Sequence, residues 1–239
     1  MTGTTPPPLD PQPLTAADAV RLRSAGFLAP FGRETMAALF AESRVVVAAP
    51  FQTLFDQDEP AEVLWVVIEG TVGLMAAVGP TGSCLIELAG PAQVIGEAGL
   101  FDTGRHPTAA RAITAARLAQ IPAASILACL EAQPPLRRHM LGFLSARLHA
   151  LVRQIALLKL MGTAQRLATF LLGLTERRAG PQTVHLACER RIIAGMLGMT
   201  PESLSRALAQ LRALGVHSEG KRDIVVSSPE RLRAFLAEA

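Results

Sequence analysis

The sequence predicts an α+β protein with an N-terminal antiparallel β-roll, a long helix and a small helical C-terminal domain. Between residues 44 and 121, short β-rich runs alternate with clusters of turn-forming residues such as DQDEP and GPTG. Between residues 134 and 161, leucines recur at coiled-coil spacing. Near the C-terminus, two amphipathic helices flank a glycine turn and are followed by a hairpin pattern.

Composition narrows the class of protein. Half of the 239 residues are hydrophobic and 18% are charged, which is typical of a globular chain. Cys84, Cys129 and Cys188 are widely separated and form no CxxC pair, which argues against a disulfide framework and a zinc site. No secretory signal is recognisable, and every apolar run is expected to be too short to span a bilayer. A cytoplasmic location is therefore predicted.

Charge is distributed unevenly along the chain. Residues 1–162 carry 12 Lys and Arg against 13 Asp and Glu, whereas residues 163–239 carry 11 against 7. The C-terminal third is therefore basic, which favours a polyanionic partner for that third.

The first predicted domain covers residues 14–133, after a proline-rich tail at 1–13 that is expected to be disordered. Thr15 and Asp18 have the spacing of a capping box and predict a helix start. A second helix is expected from Glu34 to Ser43, before the strands of the roll begin.

Residues 134–162 are predicted to form a dimerisation helix that ends in a hinge at Gly162. Apolar residues at alternating spacings of three and four residues form its predicted dimer interface: Leu141, Leu144, Leu148, Leu151, Ile155 and Leu158. The alternative is that this helix lies on its own roll. The narrowness of the leucine stripe, and its place between two domains, favour a dimer.

Residues 163–239 contain the pattern that predicts a function. Gly198-Met199-Thr200 forms a turn between two helices, with Thr200 as a good N-cap and Pro201 in the first helical position. This is a helix-turn-helix, whose second helix can read bases in the major groove. VHSEGKRDIVV predicts a wing that turns near Gly220. The candidate DNA-binding residues are Thr200, Glu202, Ser203, Ser205, Arg206, Lys221 and Arg222.

In this order, a roll, a dimerising helix and a winged helix-turn-helix resemble the Crp/Fnr family of bacterial transcription regulators. The segments LFDQDEPAEVLWVVIEGTVGL and VIGEAGLFDTGRHPTAARAITA resemble that family's cyclic-nucleotide-binding-like jelly roll, and TPESLSRAL resembles its E-x-x-S-R recognition helix. The resemblance implies a homodimeric, cytoplasmic activator with double-stranded DNA and RNA polymerase as partners. It implies a TTGAT- or TTGAC-like palindrome read by Glu202 and Arg206, with Ser205 beside them.

The resemblance also implies an effector pocket, formed by Gly96, Glu97, Ala98, Arg105, Thr108 and Leu151. Cyclic-AMP-binding members place an arginine on the phosphate where this chain has Pro107, and polar residues where it has Leu151 and Val152. An arginine at 105 or 111 would compensate only through a shifted loop. A cyclic nucleotide or another small ligand is the alternative effector. An iron–sulfur cluster is not expected, because residues 1–30 contain no cysteine.

The C-terminal domain most resembles the subgroup that regulates denitrification and responds to nitric oxide, which implies haem as a candidate cofactor. An axial ligand would come from a residue such as His, Met or Cys in an apolar pocket. Five histidines are available, and the sequence does not single one out as a ligand: His106, His139, His149, His185 and His217.

Two other classes of function were weighed. The chain contains no GxSxG, HExxH or phosphate-binding loop motif, so an enzyme is not expected and no residue is assigned as catalytic. A regulatory module without DNA binding would need neither the wing nor the E-x-x-S-R helix. A dimeric, effector-controlled, DNA-binding regulator is therefore the predicted function.

Overall fold

A computed structural model describes residues 9–78, 82–176 and 180–237. The chain divides into two compact units, one up to Arg147 and one from Leu148. The division falls inside the long helix, 14 residues after the predicted roll boundary at residue 133.

The first unit begins with a short strand, β1 (Gln12–Pro13), which pairs with residues Arg44 and Val45. The prediction of a disordered tail therefore fails at residues 12 and 13, because a proline can occupy an edge strand whose N–H is not needed. Residues 1–8 of that tail lie outside the described residues. Helix α1 (Ala16–Leu22) starts with the predicted capping box, and α2 (Arg33–Glu42) follows close to its predicted bounds.

The roll consists of two antiparallel sheets. Its strands and short helix are β2 (Arg44–Ala48), β3 (Thr53–Phe55), β4 (Val63–Glu69), β5 (Val72–Val78), β6 (Gly82–Ala89), β7 (Val94–Ile95), α3 (Glu97–Phe101), β8 (Ala109–Ala112) and β9 (Ala116–Pro122). One sheet has the order β1-β2-β9-β4-β7, and the other has the order β3-β8-β5-β6. The antiparallel roll predicted from the strand spacing is confirmed.

Strand β4 shows why its sequence is an unbroken apolar run. Leu64, Val66 and Ile68 pack into one hydrophobic core together with residues of the helices. Trp65 and Val67 face the opposite core, which contains residues of both sheets. Both faces of the strand are therefore buried, so the alternation of a half-exposed strand is absent.

Helix α4 (Ala123–Ala132) leads into α5 (Pro134–Leu160), the predicted long helix. Leu136 and Met140 are buried in the roll core, and the Phe143 ring meets the Phe27 ring edge-on at 5.3 Å. At 27 residues, α5 is long and apolar enough to cross a membrane by length and composition alone. The expectation that every apolar run is too short is therefore wrong for α5, although one such helix is weak evidence of a span.

The second unit contains the rest of the chain. After α5 come α6 (Thr163–Leu174), β10 (Gln182–His185), α7 (Arg190–Met196), α8 (Pro201–Leu211), a 3-10 turn (Arg212–Leu214), β11 (Val216–Glu219), β12 (Asp223–Val226) and α9 (Pro229–Ala237). The three strands form a sheet of order β10-β12-β11. Leu167, Leu204 and Ile224 are among the buried residues of the second unit. The helix-turn-helix and the wing thus form as predicted.

Three non-glycine loop residues of the roll, Phe51, Asp58 and Ala92, adopt a conformation that favours glycine. Phe51 has a φ of +67° and Asp58 a φ of +66°. Phe51 and Asp58 therefore adopt the left-handed conformation with a side chain present. Asp tolerates this region, but a bulky aromatic residue is strained there.

Candidate DNA-binding surface and effector pocket

Residues adjacent to its N-terminus fix the start of helix α8, and its first turns are presented to solvent. The Thr200 hydroxyl accepts a hydrogen bond from the Ser203 N–H at 3.2 Å, and Pro201 follows at the first helical position. Leu204, Ala207 and Leu211 bury the opposite face of the helix. The predicted N-cap and the predicted buried face are both present.

Glu202, Ser205 and Arg206 are exposed in these turns. The Arg206 guanidinium donates to the Ser203 hydroxyl at 3.1 Å, and the Ser205 hydroxyl donates to the Pro201 carbonyl at 3.0 Å. A hydrogen bond from its own backbone N–H lowers the pKa of Glu202, and the Thr200 hydroxyl and the Arg206 charge add to that effect. An ionised acceptor and a guanidinium donor thus lie on one exposed surface, which is the chemistry that cytosine N4 and guanine O6/N7 require.

The turn before α8 is braced by a residue that sequence reasoning did not select. Arg166 of α6 donates to the carbonyls of Leu197 and Gly198 at 2.7 and 3.2 Å. Gly198 has a φ of +61°, and a Cβ there would lie 2.8 Å from Cδ2 of Leu158. Glycine is therefore required both by the backbone conformation and by the close packing of the turn.

The wing is the β11–β12 hairpin, which turns at residues 220–222. Lys221 and Arg222 are exposed at its tip, as predicted, and Gly220 has a φ of +73°. The Gly220 carbonyl accepts from Nη2 of Arg190 at 2.9 Å, so the start of α7 is tied to the wing. Arg190, like Arg166, was not among the candidate residues.

In the first unit, the predicted effector pocket contains a cluster of three charged residues. Nε of Arg147, from α5, lies 2.5 Å from the Glu97 carboxylate of α3. Its Nη1 and Nη2 donate to the Glu87 carboxylate of β6 at 3.1 and 2.8 Å. Burial raises the pKa of Glu97, and the Arg147 charge offsets part of that rise. The cluster contains two carboxylates and one guanidinium.

The other predicted pocket residues are placed differently. Gly96, with a φ of +88°, begins α3 and positions Glu97, whereas Ala98 is exposed on that short helix. Nη1 of Arg105 donates to the Asp58 carbonyl at 2.6 Å and is not part of the charged cluster. Thr108 is half-buried at the start of β8. Leu151 belongs to the second unit, so it is described with α5 below.

A histidine is buried beside this cluster. His106 is 2% exposed, and its ring stacks on Phe55 at a centroid distance of 3.7 Å. Both the His106 ring and Trp65 border Gly96, and neither Nδ1 of His106 nor Nε1 of Trp65 has a partner among the described residues. Burial lowers the pKa of His106, and the negative charge of Glu59 offsets part of that decrease.

The apolar stripe of α5 is largely exposed in a single chain. Leu141, Leu148 and Ile155, spaced seven residues apart, are 69%, 60% and 53% exposed. Leu151 and Leu158 are 37% and 40% exposed, and Leu144 is half-buried. Within the first unit, Leu141 does not pack on the roll, which argues against a helix that lies on its own roll at that position. The structure leaves the stripe open to a partner.

The remaining candidate ligands show no metal site. Among the described residues, no group of three or more His, Cys, Asp or Glu is arranged to hold a metal ion. His139 contacts the Gly26 carbonyl at 3.0 Å, and Nδ1 of His185 lies 2.7 Å from Asp223. Burial raises the pKa of Cys188 to about 11, so its thiol stays protonated near neutrality.

Comparison with known proteins agrees with this arrangement. Residues 45–133 match the cyclic nucleotide-binding domain, and residues 165–235 match the Crp-like helix-turn-helix domain. The chain is 26% identical over 216 residues to the CRP-like cAMP-activated global transcriptional regulator of Mycobacterium tuberculosis, covering 88% of this chain and 96% of that protein.

Two solved structures are similar over most of the chain. FixK2 from Bradyrhizobium japonicum aligns with a TM-score of 0.71 at 26% identity, covering 80% of this chain and 96% of that one. DNR from Pseudomonas aeruginosa aligns with a TM-score of 0.52 at 26% identity, covering 92% and 98%. The two matched domains and these relatives show that the chain belongs to the Crp/Fnr family of transcription regulators, which are DNA-binding proteins and not enzymes.

Proposed function

We propose that this protein is a dimeric regulator that binds a TTGAT- or TTGAC-like palindrome through α8 and is controlled by an effector in the roll. The observation that carries the proposal is the exposed first two turns of α8, where Glu202 and Arg206 are presented together by the Thr200 cap. An ionised carboxylate and a guanidinium one helical turn apart can accept from cytosine and donate to guanine in adjacent base pairs.

The second chain of the dimer would cover the exposed stripe of α5. Leucine and isoleucine at heptad spacing favour a coiled-coil contact with a second copy of the same helix. Two recognition helices related by a two-fold axis match a palindromic site whose halves lie about one helical turn apart. The dimer and the palindrome therefore support one another. Such a regulator would act in the cytoplasm beside RNA polymerase.

Binding to the duplex TTGAT-N4-ATCAA tests the proposal directly. We expect binding in preference to a scrambled duplex of the same composition. Arg206→Ala is expected to cost about 1–3 kcal/mol on the palindrome and to relax the sequence preference. Arg233→Ala, on α9, removes the same charge from a helix outside the helix-turn-helix and serves as the matched control. Equal losses on both duplexes for Arg206→Ala would contradict base reading.

The chemistry of the roll favours an effector other than cyclic AMP. Glu87 and Glu97 outnumber the single guanidinium of Arg147, so the cluster carries a net negative charge when both carboxylates are ionised. A cyclic phosphate would meet this cluster without the arginine that Pro107 replaces, and Arg105 is bonded to the Asp58 carbonyl instead. Anions are therefore disfavoured in this pocket.

A cyclic nucleotide remains the second candidate, because residues 45–133 match the cyclic nucleotide-binding domain and the M. tuberculosis relative is named as cAMP-activated. Calorimetric titration with cyclic AMP distinguishes this candidate from an effector other than cyclic AMP. We expect no saturable heat and no change in DNA affinity. Saturable binding that strengthens DNA binding, with DNA strengthening nucleotide binding by the same factor, would establish the second candidate.

Haem control in response to nitric oxide is a further candidate from the family resemblance, and the surroundings of His106 disfavour that residue as the axial ligand. His106 has a buried ring nitrogen without a described partner, but its ring is stacked on Phe55 and borders Gly96. That nitrogen faces Gly96, where an added Cβ would lie 3.6 Å from Nδ1, so the backbone at Gly96 would have to move to admit a porphyrin. An anaerobic absorption spectrum with added haem tests this candidate, and we expect no saturable Soret band at one haem per chain.

A further inference from the structure

A cleft of about 230 Å³ lies in the second unit between α8 and the first strand of the wing. It is separate from the exposed first turn of α8 that presents Glu202. Its polar and charged lining residues are Arg190, Ser205, Arg212, His217 and Ser218, and the other three lining residues are apolar. None of its eight described lining residues is acidic, so the cleft selects for a negatively charged group.

The cleft contains a charged donor that the protein leaves unused. Nη2 of Arg190 is held by the Gly220 carbonyl, which fixes the guanidinium between α7 and the wing. Nε of the same side chain is buried and has no hydrogen-bond partner in the described structure. A buried N–H of a charged group without a partner is costly, and an anionic oxygen would satisfy it.

The position of the cleft identifies the source of that anion. Ser205 lines the cleft and also belongs to the candidate base-reading surface of α8. The opposite wall, at His217 and Ser218, leads along β11 to the exposed wing tip at Lys221. With α8 in a major groove and the wing beside it, these two walls would flank the sugar–phosphate backbone. Phosphates receive half or more of protein–DNA hydrogen bonds.

We infer that this cleft is a phosphate clamp, in which Arg190 and Arg212 bind one backbone phosphodiester of the DNA on each half-site. The inference rests on the DNA binding proposed above, and adds to it a contact that positions the protein without reading sequence. His217 and the Ser218 hydroxyl supply further donors to the same phosphate.

The salt dependence of DNA binding tests the clamp. Arg212 is exposed, so Arg212→Gln removes its charge without disturbing the core. Between about 50 and 200 mM salt, the slope of log K against log salt is expected to fall by about 0.9 for each of the two clefts in a dimer. The loss should be the same on the palindrome and on the scrambled duplex. Arg212→Lys should restore most of the slope, because it keeps the charge.

Arg233→Gln is the matched control, since it removes the same charge from α9 outside the cleft. Equal slopes for Arg212→Gln and Arg233→Gln would overturn the clamp, even with palindrome binding intact. Failure of the wild-type protein to bind either duplex would instead overturn the proposed function.

Titration with inorganic phosphate in the absence of DNA distinguishes a DNA phosphate from a small phosphorylated ligand as the anion in the cleft. Saturable binding that Arg212→Gln abolishes, combined with an unchanged salt slope on DNA, would assign the cleft to a small phosphorylated ligand and overturn the clamp.

Discussion

The charged cluster of the roll and the exposed surface of α8 both join carboxylates to an arginine, but they are built in opposite ways. Glu87, Glu97 and Arg147 come from β6, α3 and α5, and their side chains are 26%, 5% and 22% exposed. Glu202 and Arg206 lie four residues apart on one helix and face solvent. The first set is assembled by tertiary structure and bonds across three elements, whereas the second set makes only local hydrogen bonds on its own helix and faces solvent.

This difference predicts unequal consequences for mutations. Changes in the charged cluster should alter folding of the first unit, while changes on α8 should alter DNA binding and leave stability nearly unchanged. Helix α5 combines both situations, since its start is buried in the first unit and its apolar stripe is largely exposed.

The largest effect is expected for Leu148→Glu, which places a charge in the centre of the proposed dimer seam. Burying an unpaired carboxylate on each of two helices is strongly unfavourable, so we expect monomers in sedimentation. Affinity for the palindrome should fall roughly 100-fold or more, because the two half-sites are no longer bound by one linked molecule. Ala150→Glu adds the same charge off the stripe and should remain dimeric. A dimeric Leu148→Glu protein would place the interface elsewhere.

Arg147→Ala should have the next largest effect, on stability. It leaves the buried Glu97 carboxylate without its guanidinium, which is expected to cost the first unit about 2–3 kcal/mol. The figure lies below that of a fully buried pair, because Arg147 and Glu87 are partly exposed. Calorimetric unfolding measures it, with the exposed Arg153→Ala on the same helix as control. An unchanged unfolding temperature would show that the cluster contributes no net stability.

Phe51→Gly should stabilise the roll by about 1 kcal/mol, because it relieves the left-handed backbone of an exposed aromatic residue. Denaturant unfolding gives the difference. Phe51→Ala removes the same ring but keeps a Cβ, so it should bring little gain. If both variants stabilise equally, the side chain and not the backbone is the cause.

The smallest effect is a dependence on pH. The pKa of His106 in the folded protein lies below its ordinary value near 6.5, so the unfolded chain binds that proton more readily. The stability of the first unit should therefore fall as pH falls through about 6.5. His106→Phe should remove that part of the slope. Glu97 and Asp18 titrate in both proteins, so the difference between their pH profiles isolates His106. Parallel profiles for the two proteins would contradict this assignment.

The sequence was sufficient where structure is set locally. The capping box at Thr15 and the N-cap at Thr200 each depend on residues within four positions along the chain, and both form as predicted. The roll was likewise predicted from the spacing of its strands, although β4 is buried on both faces.

The parts of the site that were not predicted depend on contacts between residues that lie far apart in the sequence. Arg147 meets Glu87 from 60 positions away, and Arg166 meets Leu197 from 31 positions away. On a helix, an arginine off the apolar stripe has the same pattern whether it faces water or a buried carboxylate. The sequence does not distinguish His106 from the other histidines, and only the fold shows that its ring is covered by Phe55.

Trp65 is the chain's only tryptophan, and the sequence contains no tyrosine. It is 3% exposed in the core of the roll, beside Gly96 and the ring of Phe55. The natural protein therefore carries a single intrinsic fluorophore, located next to the candidate effector pocket, while the DNA-binding unit is dark at tryptophan wavelengths. Emission from the unlabelled chain would report events in the roll alone, so ligand screening and unfolding of that unit can be followed in the presence of DNA.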